Sequence, residues 1–161
     1  MMSARIQNPG KTQRGAAAVE FALVLLILLM LLGAIVEFGR VFWYFDAMTK
    51  ATRDGARLMS MADKATINSI ARPAAVGLVV ASANSARVSP GLASSNVEVE
   101  CLNDTFQTMS CADGSPPANV RVSIVGYQVT IGGWVPLLVY GGGALTFDQQ
   151  FAPSTTMRYM H

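Results

Sequence analysis

The sequence predicts an α+β protein. One long N-terminal helix starts as a membrane span and runs on into a small domain built on an antiparallel sheet. Three observations lead there. Residues 16–36, AAAVEFALVLLILLMLLGAIV, hold 19 apolar residues of 21, the exceptions being Glu20 and Gly33. Helical spacing of apolar side chains then continues without a turn signal into the sixties. Past residue 96 an alternation with period two replaces it.

The chain has 161 residues, enough for about one domain. It is 52% hydrophobic and only 14% charged, with mean hydropathy +0.38. Most of that excess belongs to residues 16–36. Twelve basic against ten acidic side chains give a formal +2, too balanced for a nucleic-acid footprint. One His (His161) and two Cys (Cys101, Cys111) leave almost no material for a zinc site or a His-based catalytic site. No cofactor, metal, nucleic acid or small-molecule substrate is therefore expected, and an enzyme is not expected. An envelope enzyme would need a polar pocket of convergent side chains.

Residues 1–15, MMSARIQNPGKTQRG, carry Arg5, Lys11 and Arg14 and no acid, and Pro9-Gly10 break any helix. This reads as a basic leader. A secretory signal peptide fits poorly, because its apolar region runs to about 7–15 residues and ends in a small-residue cleavage site. The span at 16–36 gives about 31 Å of helix at ~1.5 Å per residue, against a hydrocarbon core of roughly 30 Å. Glu20 stands at its mouth, and a carboxylate in such a helix is a functional hypothesis by default.

Residues 37–62 extend the helix. Val41, Phe45, Met48, Thr52, Ala56 and Met59 recur at spacings of three or four. Arg40, Lys50, Arg53, Asp54 and Arg57 mostly occupy other faces. Phe42, Trp43 and Tyr44 stand where an aromatic interface belt is expected. Residues 63–161 form the remaining α+β domain. In it, 64–87 is a second helical stretch that Pro73 either breaks or restarts. Residues 75–83 read as a packing helix too short to span a bilayer. Residues 88–96 are a loop.

Val97 to Cys101 alternates apolar and acidic, as a strand with one wet face does. Asn119 to Ile131 also alternates, but Val120, Val122 and Ile124 share one parity and Val125, Tyr127, Val129 and Ile131 the other. The slip lies beside Gly126, where a β-bulge would keep both halves on one core and is preferred to a hairpin turn. Leu145, Phe147 and Phe151 share a face of a third strand, opposite Asp148 and Gln150. Thr155–Met160 is a candidate fourth strand, at an edge. Cys101 and Cys111 flank a polar loop of nine residues, so an intrachain disulfide is expected, two free thiols being the other reading. Three Lys/Arg precede the span and four lie between residues 40 and 57, so their count leaves the orientation open. A disulfide would place the domain in an oxidising, exported compartment. Residues 132–143, GGWVPLLVYGGG, have two readings: a glycine-hinged core segment, or an apolar loop docking on a partner subunit or the membrane surface. They are not a phosphate loop, since no G-K-[ST] follows.

The stretch Arg14-Gly15-Ala16-Ala17-Ala18-Val19-Glu20-Phe21 resembles the G-x-x-x-x-E-F processing site of tight-adherence (Flp) type IV pilins, and looks most like the pseudopilin-like TadE/TadG family. Gly39-Arg40, the segment Ala51-Thr52-Arg53-Asp54-Gly55-Ala56-Arg57 and the ending Thr155-Thr156-Met157-Arg158 extend the likeness. The resemblance implies a pilin-like architecture, with prepilin peptidase cutting between Gly15 and Ala16 and reading Glu20 and Phe21. It implies association with other pilins, pseudopilins and the pilus assembly machinery, with Glu20 and Arg40 assigned to subunit contacts. It also implies a single-pass protein of the bacterial inner membrane with an extracytoplasmic domain, acting in pilus biogenesis and adhesion. The cut would remove three of twelve basic side chains, leaving nine against ten acids. The alternative is an uncleaved single-pass anchor whose domain binds a ligand or partner.

Overall fold

In the computed structural model, the structure describes residues 12–132, 137–138, 144–145 and 147–160. The leader sequence up to residue 11, most of the 132–143 segment and His161 lie outside them. Helix α1 (Thr12–Ser60) is 49 residues long. It begins ahead of the expected boundary, so Gly15 lies inside it. One glycine costs a helix about 1 kcal/mol relative to alanine, and the Leu-rich run behind it easily carries that.

At its far end, α1 stops without a glycine. Met160 N donates to Ser60 O (3.0 Å), and the Tyr159 hydroxyl donates to Ala62 O (2.6 Å). The last residues of the described chain therefore satisfy carbonyls that the helix end leaves open. Asp63 then caps a short 3-10 turn (Lys64–Thr66) by accepting from Ala65 N. A π turn (Ile67–Ala71) leads into α2 (Arg72–Ser85). Pro73 sits in the first turn of α2, where its missing N–H is no loss, so it starts this helix. The helical run Lys64–Ser85 is long and apolar enough to cross a membrane. However, Ile67, Ala71, Ala75, Val79 and Ala83 bury one side of it in the domain core.

Asp113 Oδ1 reaches across to accept from Asn68 N (2.7 Å) and Ser69 N (3.2 Å). The Asn68 amide is the first cause holding this carboxyl below its ordinary value. A depressed folded value means the contribution is present above the unfolded value and lost as pH falls through the folded one. Asp113→Asn is expected to flatten the acid limb of the stability profile, read as thermal midpoint against pH below about 4.

The main sheet is antiparallel, in the order β2 (Thr108–Met109), β1 (Val97–Leu102), β3 (Asn119–Ile124), β8 (Ser154–Arg158). The alternation in β1 and β3 buries Val97, Val99, Val120, Val122 and Ile124. Glu100 and Arg121 pair on the wet face at 3.3 Å. Against the buried face lie Met48, Ala51, Thr52, Ala56 and Met59 of α1 and Ala75, Val79 and Ala83 of α2. Fully burying a side chain such as Met59 is worth roughly 1.5–3 kcal/mol. The Thr52 and Thr155 hydroxyls meet at 3.0 Å, tying α1 to β8.

The slip beside Gly126 has a more drastic outcome than a bulge within one ladder. After β3 the chain passes into β4 (Tyr127–Ile131), which pairs only with β7 (Phe147–Phe151), in a separate two-stranded sheet. Between the paired segments, Ile124, Val125 and Gly126 stand opposite Ala152 and Pro153. One extra residue is present, as in a bulge, but the ladder breaks there. Gly126 takes φ +64°, a region open to glycine. Asn96 satisfies Val125, donating from Nδ2 to its carbonyl (3.1 Å) and accepting its N–H on the Asn96 carbonyl (2.8 Å). The change of parity keeps Tyr127 and Val129 buried with Ile124.

Other expectations need correction. Tyr44 is 5% exposed and belongs to the core, so only Phe42 and Trp43 of the expected belt project outward. Phe45 lies at the edge of the buried stripe, where its ring meets Phe151 edge-on at 5.6 Å. Of the third strand, Ala144–Leu145 (β6) pairs with Leu137–Leu138 (β5) and Phe147–Phe151 (β7) pairs with β4, Thr146 between them lying outside the described residues. Phe151 is buried, but Phe147 on the same face is 55% exposed, because the core ends before reaching it.

Candidate functional site: the apolar stalk and its junction with the domain

Three regions of α1 carry functional weight: its first turns, its uncovered apolar half, and the turn where it meets the sheet. Gly15, Ala16, Glu20 and Phe21 all lie in the first turns and are exposed. A Cβ built on Gly15 would meet nothing within 4 Å. From Phe21 to Val36 the helix carries no charge, and its most apolar window has none of its residues covered by protein. In water, such a surface would be far larger than soluble proteins tolerate. Its length and hydropathy suit a bilayer.

The junction begins at the next residue. Glu37 is 4% exposed, although it sits one position past an entirely apolar run. Its carboxylate accepts from Arg40 Nη2 (2.6 Å) and Nε (3.3 Å), and from Gly132 N (2.8 Å). Arg40 Nη2 also donates to Thr130 O (2.8 Å), and its guanidinium lies 5.4 Å from the Tyr44 ring centre. Helical spacing of three residues puts both side chains on one face, and the end of β4 supplies the backbone groups they hold. The Glu37 hydrogen bond is the first cause holding Arg40 above its ordinary value, with Tyr44 assisting and burial opposing.

Above the junction, the Tyr127 hydroxyl donates to Pro90 O (2.5 Å), and burial pushes its phenol up to about 12. Gly55 lies where α1 and α2 pack closely. A Cβ there would lie 2.5 Å from Val79 Cγ2 and 3.4 Å from Val122 Cγ1. Cys101 and Cys111 are joined as a disulfide, closing the loop between β1 and the chain leading to β3. Among the described residues no three His, Cys, Asp or Glu side chains gather as a metal site would require. A groove between α1 and α2, lined by Trp43, Asp46, Lys50, Ser82 and Ser85, holds about 210 Å³. Its two charged groups bond to each other at 2.7 Å.

Of the expected site residues the structure brings Cys101 and Cys111 together, but not Glu20 and Arg40. Glu20 lies on the bare stalk, Arg40 is turned onto its own domain, and Cys101 in β1 is bonded to Cys111 in the chain after β2. Sequence reasoning passed over Glu37. The available signal was its spacing from Arg40, but the third member of the cluster, Gly132, is distant in sequence.

The fold and the junction define a helix-stalked α+β protein, with a long apolar helix clamped into a compact helix–sheet domain. Residues 15–57 match the family model described as TadE-like protein. The match starts at Gly15 and ends at Arg57, so it covers the bare stalk, Glu37, Arg40 and Gly55. No curated protein and no solved structure matches the chain.

Proposed function

We propose that this chain is a pseudopilin-like subunit of a tight-adherence (Flp) pilus apparatus, acting in pilus biogenesis and adhesion. Residues 16–36 hold it in the bacterial inner membrane in a single pass, with the domain at 63–161 on the extracytoplasmic side. Prepilin peptidase removes residues 1–15 by cutting between Gly15 and Ala16. Other pilins and pseudopilins then replace lipid around the stalk. Glu20 sets the register of that association, and Arg40 holds each domain at a fixed angle to the helix that makes it.

The observation that carries this reading is the TadE-like match, which begins at Gly15 and follows α1 along a half that no protein covers. An exposed Glu20 on such a helix needs a compensating charge once in lipid, and a new N-terminal amine on a neighbouring subunit supplies one. Co-expression with prepilin peptidase is expected to yield a mature protein beginning AAAVEF. Retention of residues 1–15 would overturn the processing step. Glu20→Gln is expected to insert normally and fail to assemble, read as co-purification with partner subunits. Wild-type assembly would remove the role of Glu20.

The second reading is an uncleaved anchor with a ligand-binding domain. The groove beside Trp43 favours it by position, but the mutual pairing of Asp46 and Lys50 leaves little to recognise a ligand.

A further inference from the structure

Strand β8 is the last of the main sheet and has a strand neighbour on one side only. Its pairing with β3 is framed by Ile124 N donating to Pro153 O (3.0 Å) and Tyr159 N donating to Ala118 O (3.0 Å). An antiparallel strand turns alternate residues to its two sides. Thr155 and Met157 therefore bond to β3, while the amides and carbonyls of Ser154, Thr156 and Arg158 point outward. Among the described residues nothing bonds to that outward row. The strand holds neither a proline nor a bulge, the usual devices that blunt an edge. The opposite edge is blunted, because β2 is two residues long and lies within the loop that Cys101 and Cys111 close.

The ground beside the open edge is cationic. β8 runs along α1 in the same direction, with Thr155 meeting Thr52 and Met160 meeting Ser60. Gly55 faces α2, whereas Thr52 and Ser60 face the β8 side. At ~100° per residue, Arg53 and Arg57 come next around the helix, past the outer side of β8. Both are exposed and form no ion pair with the described chain. Nearby, Asp46 and Lys50 satisfy each other, and Asp54 lies on the side of the helix turned away from the core. Arg158 is exposed on the other face of the strand. Arg53 and Arg57 stand about 6 Å apart along the helix axis, at ~1.5 Å per residue. Successive residues on one face of a strand are spaced by about 6.6–6.8 Å, so two such residues match the two arginines.

We propose that the outer edge of β8 receives a fifth strand from another protein, an extended segment bearing carboxylates at positions i and i+2. Its backbone takes up the outward groups of Ser154, Thr156 and Arg158, and its carboxylates meet Arg53 and Arg57. A second copy of this chain does not supply that segment. Its own such pattern, Glu98 and Glu100, is held in β1 beside β3, and β8 carries no acid to offer in return. The contact is independent of whether residues 1–15 are removed.

The test titrates the full chain in detergent with a short acetylated and amidated peptide of alternating threonine and valine, two successive valines being replaced by glutamate. Anisotropy of the labelled peptide reads binding, and hydrogen exchange of the protein's amides locates it. Binding is expected to slow exchange at Ser154, Thr156 and Arg158. A lysine version is expected to bind at least about tenfold more weakly, since like charges would meet, and Arg53→Glu with Arg57→Glu to reverse the preference. Methylating the threonine amides that face β8 keeps every charge and is expected to abolish binding. Thr156→Pro is expected to do the same with an unchanged near-ultraviolet circular dichroism spectrum, because an edge strand tolerates proline where its N–H faces solvent. Should that variant fail to fold, the methylated peptide decides. Undiminished binding of the methylated peptide would mean attraction between charges alone and would overturn the proposal. Equal binding of the glutamate and lysine peptides, or no binding of the glutamate peptide, would also overturn it. Protection of the β8 amides in the chain alone, growing with concentration, would make a second copy the occupant and would overturn it as well.

Discussion

Glu37→Ala is expected to destabilise the folded domain by about 3 kcal/mol, the scale for removing one partner from a buried ion pair. The Arg40 side chain is 12% exposed and its acid 6%. Truncating Glu37 leaves a buried guanidinium with the Thr130 carbonyl and the Tyr44 ring, and takes the acceptor from Gly132 N. Most of the loss is thus the cost of what remains unpaired. A double-mutant cycle separates that cost from packing. Arg40→Met alone is expected to be costly, because it strands a buried carboxylate. Glu37→Ala with Arg40→Met should lose much less than the two single losses added together. Chemical unfolding of the detergent-solubilised full chain, followed by near-ultraviolet circular dichroism, reads all three. Additive losses would mean that the two side chains are merely close.

Gly55→Ala is expected to be destabilising although alanine is the better helix former. Removing a helical glycine gains about 1 kcal/mol in propensity. Here the new methyl would lie 2.5 Å from Val79 Cγ2. Valine is stiff at χ1, so α2 must move as a body or the valine must leave its rotamer. Overpacking of this kind costs typically about 1–3 kcal/mol, so a net loss of about 1 kcal/mol follows, and Gly55→Leu should prevent native packing of the two helices. Thermal midpoints check the sign. Val79→Ala in the Gly55→Ala background is the control: it should lose less than Val79→Ala does in the wild type, because removing the valine methyls relieves the clash. A Gly55→Ala variant more stable than wild type would show that α2 yields freely.

How much is legible in the sequence depends on how local each signal is. The span is readable because its evidence lies in consecutive residues, and the strands at Val97 and Asn119 because their alternation is also local. The disulfide is anticipated by the polar loop between Cys101 and Cys111, and the structure closes it. The stripe on α1 is read nearly in phase, but Tyr44 and Phe45 exchange places. A helical repeat sets which residues share a face, whereas the width of that face depends on how far α2 and β7 reach around the helix. The parity slip beside Gly126 announces one extra residue. That this residue would divide one sheet from another depended on β7 and β8 being separated at Ala152-Pro153, where a proline removes a ladder donor.

By itself the sequence determined the uncharged span, the helix that outlasts it, the processing-site resemblance at Gly15 and Glu20, and the strands that follow. Each is written in neighbouring residues and needs no partner from elsewhere in the chain. Only the tertiary structure decided that Glu37 and Arg40 clamp the stalk to β4 and that Gly55 is where α1 and α2 meet. Those features join residues that lie 24 to 95 positions apart. A buried charge is tolerable only where a distant segment brings its partner, and no local pattern records that meeting.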